Sequence, residues 1–208
     1  MLFVDEAGGY LIDAGQRRTF DPATRTWSSS LPKSSGEALS LVAAATWLQR
    51  RSGHPLRQPV AVIGPREASD AQLAAAEQVG AAMARIGFTV VCGGRQGVME
   101  AVCRGVAAEN GISIGLLPDA EAAAANAYVT VPIATGIGEA RNAIVARSGF
   151  GLVVIGDSYG TLSEVALGLQ FGRPVFGLLG AAIVNGVRGC ENVDAAIDGV
   201  CKVALGLG

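Results

Sequence analysis

The chain has 208 residues, half of them apolar, with 16% charged and 5% aromatic. A chain this apolar and this weakly charged buries enough surface to offset its ordering entropy, which excludes disorder. The formal charge is −2 and no basic stripe runs along the sequence, so nucleic acid is not expected as a partner.

LFVD and GYLID flank Gly8-Gly9 and read as strands joined by a two-residue hairpin loop. Arg18–Phe20 and Arg25–Trp27 flank a second turn at Asp21-Pro22. Residues 28–36 are a Ser/Pro/Lys loop. Residues 37–50 carry apolar side chains at helical spacing. A polar linker at 51–59 follows. Residues 1–58 thus form a small hairpin-and-helix appendage, and residues 59–208 a separate domain.

The pattern changes at Pro59. VAVIG (60–64) is a buried strand ending in a glycine. Ser69 with Gln72 forms a capping box for a helix running to about residue 86. FTVVC (88–92) ends at Gly93-Gly94, and a helix spans 98–108. ISIGLL (112–117) is a strand, and YVTVPI (128–133) a short extended piece after a poly-Ala loop. Residues 138–148 are helical, 150–156 a strand, 161–171 a helix, 174–179 a strand and 194–205 a helix. Continuous apolar strands alternating with helices imply a parallel sheet covered on both faces. The fold class is therefore α/β, a Rossmann-like doubly wound parallel sheet ordered 3-2-1-4-5. Ligands of such sheets bind at the switch point, here between Gly64 and Gly156.

Gly93-Gly94-Arg95-Gln96-Gly97 passes from strand to helix and can present amides to an anion, with Arg95 adding a guanidinium. A tight turn needing positive φ explains the same glycines equally well. Gly156-Asp157-Ser158-Tyr159-Gly160-Thr161 has the same logic, with amides at 160–163 and the Thr161 hydroxyl suited to phosphate. Thr161 with Glu164 also spells a capping box, which would make Glu164 structural. Gly136-Ile137-Gly138 lacks the third glycine of a dinucleotide fingerprint, and no GxxxxGK[ST] occurs. Arg141 in a first helical turn opposes the helix dipole, which suggests another purpose. Glu164 and Arg141 together would suit cleavage of an N-glycosidic bond through an oxocarbenium-like state.

His54 is the single histidine and lies in the linker, which leaves no His-based triad and no metal site in the main domain. The four cysteines lack CxxC spacing and read as reduced thiols. The start has no basic region before an apolar run, and no apolar stretch is long enough to span a bilayer. A cytoplasmic location is expected, without contact to membrane.

Three runs, GGRQGVMEAVCRGVAAENGISIGLLP, TGIGEARNAIVARSG and IGDSYGTLSEVALGLQFGRPVFGL, resemble the lonely-guy/lysine-decarboxylase-like Rossmann superfamily over residues 59–208. Within it, the branch of molybdenum cofactor carrier proteins is the most similar. Lonely-guy enzymes are phosphoribohydrolases that release the base from cytokinin nucleoside 5'-monophosphates. The resemblance implies that Gly93, Gly94 and Gly97 line the site and that Gly160 and Thr161 hold the phosphate. Arg141 matches the catalytic arginine and Glu164 the catalytic glutamate. Gly64, Arg95, Asn142, Gly156 and Ser158 complete the candidate ligand set. The carrier branch holds a pterin-type cofactor on the same surface through its phosphate. The resemblance also implies a homodimer or homotetramer. No cofactor is required on this reading, although a nucleotide or the molybdenum cofactor can be the small phosphorylated ligand. The chain departs from the enzymes at Asp157-Ser158, which replaces glycines of their PGGxGTxxE motif. It departs again at Ala140-Arg141-Asn142, which replaces their Glu-Arg-Lys run.

Overall fold

The computed structural model describes residues 1–30 and 37–208. Most of the expected loop at 28–36 lies outside the described residues. Four short strands open the chain: β1 (Leu2–Asp5), β2 (Tyr10–Asp13), β3 (Arg18–Asp21) and β4 (Thr26–Ser29). They form an antiparallel meander in that order. An aspartate ends each of the first three strands and organises the turn that follows. Asp5 accepts from the Ala7 and Gly8 amides at 3.0 and 2.9 Å, Asp13 from Gln16 at 3.3 Å, and Asp21 from Ala23 at 2.8 Å. Each turn closes on a left-handed residue, Gly9, Arg17 and Arg25. The first loop therefore spans residues 6–9 rather than Gly8-Gly9 alone, because Asp5 pairs with Tyr10 across it.

Leu2, Leu11 and Phe20 project from one face of this small sheet and are buried. Phe20 lies against Trp27 at 5.2 Å between ring centroids, and the Trp27 Nε1–H donates to the Leu205 carbonyl at 2.7 Å. Ser40 caps α1 (Leu41–Arg50) by accepting from the Ala43 amide. That cap starts the helix later than the apolar spacing from residue 37 suggests. Leu2, Leu11, Phe20 and Leu48 belong to the same buried cluster as Val79, Met83, Val200 and Leu205 of the main unit. The N-terminal sheet and α1 are thus tied to the rest by a continuous apolar core.

The main sheet has seven parallel strands: β5 (Val60–Ile63), β6 (Val90–Cys92), β7 (Ser113–Leu117), β8 (Val131–Ala134), β9 (Leu152–Ile155), β10 (Val175–Leu178) and β11 (Val187–Gly189). Their order is β11-β10-β9-β5-β6-β7-β8. The central five strands follow 3-2-1-4-5, and each edge carries one further strand. The extended piece at 128–133 supplies β8. β11 has no buried residue to announce it.

Strand alternation divides the core. Val60, Val62, Val90 and Val153 face α2 (Asp70–Ile86), α3 (Val98–Ala108) and α6 (Val193–Ala204). Ala61, Ile63, Val91 and Val154 face α4 (Asn142–Ser148) and α5 (Tyr159–Gln170). The Ser69–Gln72 capping box opens α2 as its sequence spells out, and Gly87 in left-handed conformation ends it. Among the described residues, no helix is long and apolar enough to cross a membrane.

α2 and α3 approach closely through glycines. A Cβ on Gly105 would lie 2.0 Å from the Glu77 carbonyl oxygen, and one on Gly80 would lie 2.2 Å from that of Val102. Backbone occupies both positions, so the helices must separate to admit a methyl group. Gly105→Ala is expected to cost about 1–3 kcal/mol despite the better helix propensity of alanine. Urea unfolding would show this as a lower midpoint with an unchanged slope.

Candidate functional site

The strand order reverses between β5 and β9, and crossovers leave opposite faces of the sheet there. The loops after these two strands diverge and leave a cavity of about 740 Å³. Gly64, Pro65, Arg66 and Glu67 come from the loop after β5, and Met99 from α3. Asp157, Ser158, Tyr159, Gly160 and Thr161 come from the β9–α5 turn. Glu139, Arg141, Asn142, Ser163 and Glu164 complete the lining.

Ser158, not Thr161, caps α5. Its Oγ accepts from the Thr161 amide at 3.1 Å and meets the Thr161 Oγ1 at 2.9 Å. The helix begins at Tyr159, so Glu164 is past its first turn and the expected Thr161–Glu164 capping box does not form. Thr161 is 2% exposed, with its hydroxyl held by Ser158. The Asp157 carboxylate accepts from the Ser158 amide at 2.8 Å, turned onto its own loop. The amides of Tyr159 and Gly160 have no acceptor within the helix, because they lie in its first turn. A Cβ on Gly160 would have open space around it.

Arg141 ends a 3-10 turn (Gly138–Arg141) and leads into α4. It is 4% exposed, and Glu164 is 6% exposed. The Arg141 Nη1 donates to Glu164 Oε1 at 3.3 Å and to Asn142 Oδ1 at 2.9 Å. The Asn142 amide in turn donates to Ser163 Oγ at 3.0 Å, and Ser163 donates to the Gly160 carbonyl at 2.7 Å. A hydrogen-bonded chain therefore links the buried pair to the first turn of α5. The Arg141 Nε is buried and meets no acceptor. Burial pushes the Glu164 carboxyl up to about 8; the Arg141 charge opposes that rise and Glu139 adds to it. Burial therefore makes this carboxyl hold its proton to higher pH than an exposed glutamate, beside a permanent cation.

The remaining glycines make room. A Cβ on Gly93 would lie 2.7 Å from both terminal nitrogens of Arg141 and from the Met99 sulfur. One on Gly97 would strike the Pro65 and Arg66 carbonyls, and one on Gly64 the Ile155 carbonyl. Gly94 and Gly156 both have positive φ. Gly93, Gly94 and Gly97 thus set the spacing beneath the cavity and are not among the residues on its wall. Arg95 also lies off the wall. Its guanidinium donates to Asp119 at 2.6 Å. Sequence reasoning passed over Arg66, Glu67, Glu139 and Ser163. Arg66 and Glu139 come from distant loops and meet at 3.5 Å across the cavity mouth, a pairing with no local signature. Among the described residues, no cluster of three or more His, Cys, Asp or Glu side chains forms a metal site.

The profile of the SLOG cluster4 family matches residues 57–197. A molybdenum cofactor binding protein from Rippkaea orientalis shares 32% identity at a TM-score of 0.67, over 71% of this chain and 98% of that one. The molybdenum cofactor carrier protein of Chlamydomonas reinhardtii shares 34% identity at a TM-score of 0.65, over the same 71% and 98%. An uncharacterised protein of Archaeoglobus fulgidus is 33% identical over 139 residues, 67% of this chain and 91% of its own length.

The raised Glu164 carboxyl has a consequence for stability. Folded chains hold this proton to higher pH than unfolded ones, whose carboxyl titrates near 4.5. Stability from this group is complete below 4.5 and drains away as pH rises to about 8. The slope is about 1.4 kcal/mol per pH unit within that window. Glu164→Gln, an uncharged copy of the protonated acid, is expected to flatten the dependence. Denaturant midpoints measured between pH 5 and pH 8 would check it, and equal slopes in both proteins would contradict the assignment.

Proposed function

The chain belongs to the SLOG cluster4 family, and on that premise we propose that it binds a phosphorylated heterocycle of the molybdenum cofactor type without transforming it. The observation that carries this reading is the cavity at the strand reversal, with a helix N-terminus at one side and a buried arginine beneath it. Two of the similar structures are a molybdenum cofactor binding protein and a molybdenum cofactor carrier protein, which supports this choice of ligand.

The residues present fit the group. A cavity of about 740 Å³ lies within the size range of sites for cofactors and other small molecules. The Tyr159 and Gly160 amides would hold the phosphate, aided by the positive end of the α5 dipole. The open space over Gly160 lets an anion approach the backbone. Arg141 would supply its charge from below, and its Nε lacks an acceptor. Asp157 would oppose the phosphate, which tempers affinity and suits a protein that must release its ligand. When bound, the cofactor supplies molybdenum redox chemistry for an acceptor enzyme. The chain's own part is to enclose the ligand, orient its phosphate and limit water at the heterocycle, as a cytoplasmic protein.

A second reading, nucleoside 5'-monophosphate hydrolysis, is favoured by one observation. Glu164 holds its proton to about 8 beside Arg141, and a buried neutral acid can protonate a departing base. The same family reading makes the protein a homodimer or homotetramer. Val131, Ile133, Ile137 and Ile144 are all more than 40% exposed around β8 and α4, and a second copy would cover them. Light scattering would give the mass.

Gly160→Asp places a carboxylate in the phosphate cradle, where the backbone has room for it and helix N-termini favour it. The variant is expected to fold normally and to lose cofactor at least tenfold. Bound molybdenum, measured by elemental analysis after loading and desalting, would check this. Undiminished retention would remove the cavity from consideration. In parallel, chromatography after incubation with a panel of nucleoside 5'-monophosphates is expected to show no free base. Release that Glu164→Gln abolishes would establish the hydrolase in its place.

A further inference from the structure

A second concave site lies outside the cavity described above, where the β3–β4 turn meets the segment between α1 and β5. Pro22 and Arg25 contribute from the turn, and Gly53, His54 and Arg57 from the segment. The cleft is open to solvent and has a volume of about 180 Å³. We propose that this is a binding site for one phosphoryl group, carried by free phosphate or by a small phosphate ester.

Three observations bear on it. First, the wall carries Arg25, His54 and Arg57 and no carboxylate. Among the described residues, none of the three takes part in an ion pair. Asp21, next to Pro22 in the chain, is committed to its own turn through the Ala23 amide and the Thr24 hydroxyl. Its carboxyl is held below the usual range mainly by those bonds, and His54 adds a smaller pull.

Second, the Arg25 guanidinium is only half served. Its Nη2 donates to the His54 carbonyl at 2.9 Å, whereas Nη1 is buried and meets no acceptor. Partial burial also pushes the Arg25 guanidinium down from its ordinary value, because it removes water from the charge. A tetrahedral anion in the cleft would supply the missing countercharge.

Third, the frame is fixed. Arg25 adopts a left-handed conformation set by the Asp21 turn. Pro22 and Pro55 restrain the two segments. Gly53, at φ 75°, leaves the opening clear. The volume suits one phosphoryl group with attendant water. The bond from Arg25 to the linker means that an anion here would fasten the N-terminal sheet to the segment leading into β5.

His54 is the only histidine, so its imidazole proton resonances report on this site alone. The full chain would be titrated with inorganic phosphate and with glycerol 3-phosphate, against sodium chloride at matched ionic strength. Both anions are expected to move the His54 resonances saturably, whereas chloride is not. Saturation by phosphate alone would identify the free ion. Tighter binding of the ester would identify a phosphorylated metabolite. Arg57→Gln, at an exposed position, is expected to weaken the response at least fivefold, and Arg25→Gln to abolish it. Gly160→Asp is expected to leave it intact, which separates this site from the main cavity. His54 resonances that respond equally to phosphate and chloride, or a response that Arg57→Gln leaves unchanged, would overturn the proposal.

Discussion

Arg141 and Glu164 face each other at 3.3 Å, both almost wholly out of water. Desolvation of two ionised groups costs several kcal/mol each unless attraction and hydrogen bonds offset it. Here the offset is shared. Asn142 accepts from the guanidinium and passes the connection to Ser163. Burial raises the carboxyl, which favours its protonated form and lessens the cost of enclosing a second charge. The neighbouring backbone follows from this arrangement. Gly93 has no side chain because the guanidinium occupies that space. Arg141 ends the 3-10 turn before α4 and is buried there.

The parallel sheet explains why such a pair can sit beside a ligand cavity. Strand order reverses between β5 and β9, so their outgoing loops part and leave a cleft that needs no other carving. The α5 dipole points into it, and Ser158 uses its side chain to satisfy the Thr161 amide. That leaves the earlier amides for an anion. The cleft carries carboxylates as well as cations: Glu67, Glu139 and Asp157 all reach the lining. This mixture agrees with the proposed ligand, a heterocycle with hydrogen-bond donors as well as a phosphate.

The N-terminal strands apply a different economy. One device, an aspartate accepting from the amides of its own turn, is used after β1, β2 and β3. The turns need little hydrophobic support, so the small sheet can spend its few apolar residues on the common core. Leu2, Leu11 and Phe20 do this, and the Trp27 indole anchors to the last turn of the chain at Leu205. The sheet therefore braces the α1–α6 side of the molecule.

Much of this was legible in the sequence. Apolar runs gave β5, β6, β7, β9 and β10, and right-handed crossovers gave their order, because both depend on local composition and backbone handedness. The Ser69–Gln72 box was readable for the same reason: its partners are three residues apart. Arg141 and Glu164 emerged from motif resemblance, and the fold brings them together. Other features depended on partners far apart in the chain. Glu164 spells a capping residue until its burial against α4 is known. Arg95 looks available to an anion until Asp119 engages it. Arg66 and Glu139 carry no motif, yet they share the cavity mouth. β11 lacks any apolar run and exists because β10 offers it an edge. Local propensity and periodicity are properties of short windows, and the sequence determined those. Which charges meet, which are buried and which remain for a ligand are set by contacts between distant segments, and only the tertiary structure decided them.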